Sequence, residues 1–287
     1  RVVKGMKRFN LGCIGARTTA FKTVRFDEVT LQRYGINVES FDLSELFEFV
    51  RAKADDDAKA AAAAVNRDEK LVLSFMGTGI WEQAHNLMGI SNLCMALYEE
   101  PEATMELLEA IGEYRFQYTK LLVDNLHPDI IISHDDWGSK YSMFISPDMW
   151  REFIKPHYVK MYNYMKENGV LIMHHADSWC ESIVEDMVDL GIDVWQGVLN
   201  TNDIASIQKK LNGRMTIMGG IDSIIDRPDS TEEEIRAEVR KVCETFGPGG
   251  HFIPSITYGL PGSLYPHVTP IVMDEISKYN KEVYGIG

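Results

Sequence analysis

Eight short apolar runs, each followed by a stretch of helical periodicity, constrain this chain more than any other feature. The runs cover residues 9–14, 36–41, 71–75, 130–134, 170–174, 193–197, 215–219 and 251–255. Most are near-continuous rather than alternating, as befits parallel strands covered by helices on one face and by a core on the other. Helical patterns fill the gaps at 23–34, 44–65, 89–125, 146–168, 177–190, 202–211, 230–246 and 270–284. Strand then helix, eight times, predicts an α/β fold, a (β/α)8 TIM barrel spanning residues 1–287 as a single domain. An open, doubly wound sheet is the structural alternative, but eight units fit closure better. Local signals sharpen the boundaries. Pro101 breaks the long third helical stretch, Ser146-Pro147 reads as an N-cap followed by proline at the first helical position, and Ser230 to Glu234 resembles a capping box.

Composition narrows the function classes. The net charge is −14, with 43 acidic against 29 basic residues, and no basic stripe is present. Nucleic acid and anionic membranes are therefore poor partners, while a small-molecule substrate in a locally basic pocket stays open. The four cysteines, at 13, 94, 180 and 243, form no CxxC pair; reduced thiols and a cytoplasmic location are the expectation. No apolar run reaches membrane-spanning length. The start, Arg1 to Met6, has no signal-peptide core and reads as an internal start.

In such barrels the chemistry sits at the C-terminal ends of the strands and the loops after them. Those ends are rich in acids and histidines. Strand four gives His134, Asp135, Asp136 and Trp137, and strand five gives His174, His175 and Asp177. Alternation along strand five sends His174 and His175 to opposite faces, one to the barrel mouth and one outward against a helix. The functional reading is a general acid/base or a metal ligand, with His174, Asp177 and Glu82 as a candidate zinc set. The bland reading is a hydrogen-bonded core histidine with Asp177 as a helix cap. The adjacent carboxylates Asp135 and Asp136 bind a cation, share a proton or cap backbone amides. Glu82 and His85, at i and i+3, share a helix face and can form a local pair. Gly77-Thr78-Gly79 allows close backbone approach to a ligand. Arg17 and Asp42, at the first two strand ends, form either a carboxylate clamp or a structural ion pair. Tyr158 and Tyr162 read as helical core.

From about Leu71 onward the chain resembles the uroporphyrinogen decarboxylase superfamily, which includes corrinoid-dependent methyltransferases. The resemblance is carried by Ser74 to Gly79, by Asp135-Asp136-Trp137-Gly138 running to Lys155-Pro156, by His174-His175-Ala176-Asp177, by Met218 to Asp222 and by Tyr258-Gly259. It implies substrate-binding roles for Arg17 and Asp42. Where a decarboxylase has a tyrosine, a serine and a last-loop histidine, this chain has His85, Asp136 and Tyr258. Where the methyltransferase branch has a His-x-Cys zinc motif, the cysteine place is Ala176. Residues 1–66 look different and resemble a fucose/arabinose isomerase segment, as if a fusion or chimera supplied the first two βα units. The resemblance implies a corrinoid-dependent methyltransferase, with zinc as a possible metal and the corrinoid carried on a partner protein. It would use His174, His175, Asp135, Asp136 and Asp177 in catalysis and Arg17, Asp42, Glu82, His85 and Tyr258 in substrate binding. Porphyrinogen decarboxylation and a silent scaffold are the alternatives.

Overall fold

The computed structural model describes residues 10–14, 37–41, 57–257 and 264–285. Arg17, Asp42 and Tyr258 lie outside the described residues. The chain divides into two compact units, Arg1–Ala64 and Val65–Gly287. In the first, β1 (Asn10–Ile14) pairs in parallel with β2 (Asn37–Phe41).

The second unit is a six-stranded parallel sheet in sequential order. Its strands are β3 (Leu73–Met76), β4 (Ile130–His134), β5 (Leu171–His175), β6 (Val194–Val198), β7 (Thr216–Ile221) and β8 (Phe252–Ile256). Helices alternate with them: α1 (Ile80–Met88), α2 (Ile90–Glu99) and α3 (Pro101–Leu126) follow β3, and α4 (Pro147–Phe153) and α5 (Lys155–Glu167) follow β4. Next come α6 (Val184–Asp189), α7 (Ile204–Leu211), α8 (Glu232–Phe246) and α9 (Val268–Tyr284). This is the parallel β/α architecture of a TIM barrel. Pro254, which has no N–H to give a ladder, sits in β8, an edge strand of this sheet.

The local signals act as expected. Ser146 Oγ accepts from Met149 N at the start of α4, with Pro147 in the first turn. Thr231 and Glu234 form a reciprocal capping box on α8. The chain turns from α2 into α3 at Glu100-Pro101. Two helices differ from the sequence reading. The stretch 146–168 breaks at Ile154, because Pro156 lacks an N–H and crowds the backbone before it. The stretch expected to be helical from 177 starts its α-helix only at Val184, since Cys180 N is drawn off to Asn202 Oδ1.

The core lies between sheet and helices. Trp81, Trp137, Trp150 and Trp195 are all at most 1% exposed, and truncating any of them costs roughly 3–5 kcal/mol. Cys94, Cys180 and Cys243 are free thiols. Among the described residues, no helix is long and apolar enough to cross a membrane.

Candidate functional site

Period-two alternation runs past the ends of β4 and β5 into the loops. In residues 131–137 and 172–178 every second side chain is fully buried, and those between are half-buried. Ser133, Asp135 and Trp137 thus face the helices, as do His174, Ala176 and Ser178. His134, Asp136, His175 and Asp177 face the other way. The register pairs His134 with His175, so two His-x-Asp strand ends lie side by side.

Behind the sheet, Asp135 and His174 have all their side-chain polar atoms engaged. Asp135 accepts four hydrogen bonds: from Trp81 N (3.0 Å), Glu82 N (2.8 Å), Trp137 Nε1 (2.9 Å) and Tyr158 OH (2.6 Å). It therefore caps the orphan amides of α1, one of the three roles open to it from sequence. Burial pushes its pKa up to about 7, with the Glu82 charge adding to this and the donors pulling the other way. Gly79 makes the approach possible: a Cβ there would lie 2.2 Å from Asp135 Cβ and 2.7 Å from the His134 carbonyl oxygen. The close approach that Gly77-Thr78-Gly79 permits is thus to a carboxylate of the same chain. His174 is fully buried and stacks on Trp137 at 3.9 Å. Its Nε2 donates to the Asp135 carbonyl (3.2 Å), which leaves Nδ1 to accept from Tyr162 OH (2.7 Å). Burial, then the neighbouring His175, hold its pKa well below the usual histidine range. His174 thus sits in the core with both ring nitrogens hydrogen-bonded, the place that the bland reading of the sequence describes for it.

In front of the sheet the groups are half-open. The rings of His134 and His175 stack at 4.3 Å. Glu82, expected to pair with His85, instead reaches His134 Nδ1 at 2.9 Å. Burial opposes charge on His134, but the Glu82 hydrogen bond and charge, helped by Asp136 and Asp135, outweigh it and raise the pKa. His85 packs against the edge of Trp81 (6.2 Å) and takes no part in the cluster's hydrogen bonds. His175 Nδ1 hydrogen-bonds to Gln196 Oε1. A ladder irregularity between Gln196 and Val198 frames Gly197, where a Cβ would come within 3.1–3.2 Å of the His175 ring. His175 Nε2 lies 3.8 Å from Asp136 Oδ1, which also accepts from Asp177 N at 2.9 Å. Burial, then the Asp136 carboxylate, push Asp177 above the usual carboxylate range.

With both Nδ1 atoms engaged, each histidine keeps its Nε2 lone pair for the front. The ligand atoms of His134, Asp136 and His175 lie within 4.8 Å of one another, and this is the one such group of three among the described residues. The expected trio of His174, Asp177 and Glu82 does not converge. Two imidazoles and a carboxylate, each imidazole braced by Glu82 or Gln196, suit a divalent cation with an open coordination position. The sequence reading placed His134 at a strand end without assigning it a role, and Gln196 falls within the apolar run 193–197. The repeated His-x-Asp, read with period two, is the signal that finds His134.

A family model described as uroporphyrinogen decarboxylase matches residues 48–279. The chain belongs to the uroporphyrinogen decarboxylase family. Its match begins upstream of Leu71, where the sequence resemblance starts. The uroporphyrinogen decarboxylase of Chlorobium phaeobacteroides is 28% identical over 200 residues, covering 65% of this chain and 51% of that one. That of Thioalkalivibrio sulfidiphilus is 24% identical over 190 residues, covering 63% and 50%. The chain therefore spans about half the length of the curated relatives it matches. Among solved structures, a methyltransferase from Methanosarcina mazei superposes with a TM-score of 0.61 at 18% identity, over 79% of this chain and 63% of that one. This likeness shows the shared fold.

Proposed function

We propose that this member of the uroporphyrinogen decarboxylase family transfers a methyl group from a small methylated substrate, using a divalent cation such as zinc. The observation that supports this best is the facing pair of His-x-Asp strand ends, which brings His134, Asp136 and His175 into one N, N, O set. When bound, the cation would act as a Lewis acid on the heteroatom that loses the methyl group. The methyl acceptor in this reading is a reduced corrinoid carried on a partner protein. The chain's own residues hold and orient. Glu82 and Gln196 fix the two rings, and Asp177, whose carboxyl is held above its ordinary pKa by burial and the Asp136 carboxylate, is the group that in this reading gives a proton to the departing heteroatom. Porphyrinogen decarboxylation fits less well. Asp136 and Glu82 bring carboxylates into the front cluster, and like charges there repel a substrate bearing several of its own.

Zinc titration of the purified full chain, beside an assay with uroporphyrinogen, tests the reading. One bound ion is expected, with affinity at least 100-fold lower in His175→Ala and in Asp136→Asn. Binding should weaken as pH falls, because protons compete for the ring nitrogens. Robust decarboxylation would hand the assignment to the relatives' activity. Absence of both metal and turnover would favour a silent scaffold.

A further inference from the structure

Helix α3 carries a cation that the cluster leaves unused. Arg115 is 4% exposed. Its Nη2 donates to the Met76 carbonyl at 3.2 Å, its guanidinium carbon lies 5.8 Å from the centre of the Tyr118 ring, and its Nε is buried without an acceptor. Among the described residues no carboxylate pairs with it. The half-buried Arg236 and Arg240 on α8, by contrast, share Glu275 and further acids. A guanidinium removed from water without an anion is costly, and its planar fork matches a carboxylate.

Arg115 borders a cleft of about 480 Å³ that Phe75, Thr78, Glu82, Tyr114, Tyr118 and His134 also line. Phe75 and Tyr114 are more than half exposed there, so among the described residues the apolar walls of the cleft are left open. Its one described carboxylate, Glu82, already faces His134. The uncompensated charge in the cleft is therefore that of Arg115, and its wall is aromatic.

We propose that this cleft binds a small monocarboxylate with a planar apolar body, the carboxylate forked on Arg115 and the body against Phe75, Tyr114 and Tyr118. Combined with the methyl-transfer reading, on which this step alone rests, the acid is the substrate and its far end points toward His134. A single carboxylate matches the one cation of the cleft that has no acid partner among the described residues, and leaves the acidic cluster facing a neutral group.

Benzoate is the probe, with benzamide and benzylamine as its neutral and cationic counterparts. Calorimetry on the full chain as purified needs neither metal nor turnover, so it separates this inference from the methyl-transfer reading. Benzoate should bind at least tenfold more tightly than either counterpart, and Arg115→Lys, which keeps the charge but loses the fork, should weaken it about tenfold. Arg115→Gln should remove the preference. If the variants do not fold, the Arg115 side-chain N–H resonance of the wild-type protein still reports, and should shift on adding benzoate. Equal binding of benzoate and benzamide, or a preference that survives in folded Arg115→Gln, or an unmoved resonance, overturns the proposal.

Discussion

The two faces of β4 and β5 carry the same residue types one position apart, yet they are different chemical regions. Behind the sheet, Asp135 and His174 are fully buried and every ring nitrogen and carboxylate oxygen has a partner. In front, His134, Asp136 and His175 are half-open, and each histidine has one nitrogen braced and one free. A saturated group is held in one geometry. A half-satisfied group at the end of a rigid strand is positioned but still able to take a ligand. Adjacent histidines in one strand thus divide into a structural residue and a candidate reactive one.

The largest effects should come from the rear face. Asp135→Ala strands two amides, an indole N–H and a phenol, and is expected to cost upwards of about 4 kcal/mol in urea unfolding. Gly79→Ala drives a methyl into Asp135 and should cost about 3 kcal/mol or more by the same measurement. A loss under 1 kcal/mol in either would break the contrast, since the rear carboxylate would not be holding α1.

The adjacent histidines give the sharper test. His174→Ala is expected to lose about 2–4 kcal/mol of stability, from the cavity and the stranded Tyr162 hydroxyl, while keeping zinc affinity. His175→Ala should do the reverse, with stability within about 1 kcal/mol of wild type and zinc affinity lost. Urea melts and zinc titrations of both variants decide it, and matching profiles would erase the distinction. Gln196→Leu frees His175 to rotate, and should lower zinc affinity about tenfold.

The smallest effects are in pH dependence, and their signs oppose. His174 has a depressed pKa in the fold, so the unfolded chain takes up its proton first. Its contribution is present above the unfolded value of about 6.5 and declines as pH falls below it. His134 has a raised pKa in the fold. Its contribution is fully present below about 6.5 and is lost as pH rises through the folded value. Each changes stability by at most about 1.4 kcal/mol per pH unit. Urea midpoints from pH 5 to 8.5 should therefore flatten on the acid side in His174→Gln and on the alkaline side in His134→Asn.

Much of this was legible in the residues themselves. The strands β1 to β8 lie within a residue or two of the apolar runs, because continuous apolar stretches between helical patterns have few other uses in a parallel α/β chain. Pro101, Ser146-Pro147 and Thr231 with Glu234 act locally and set their boundaries from short range. The strand-end location of the acids and histidines, and the divergence of His174 from His175, follow from period two alone. Which histidine faces which way does not, because alternation fixes relative and not absolute orientation. That was decided by tertiary packing: Tyr158, Tyr162 and Trp137 form a pocket that satisfies His174 and Asp135. Glu82 chose His134 over His85 for the same kind of reason. The preference of an i, i+3 pair is worth only a few tenths of a kcal/mol, and a part-buried ion pair across 52 residues of sequence outweighs it once the helix is docked.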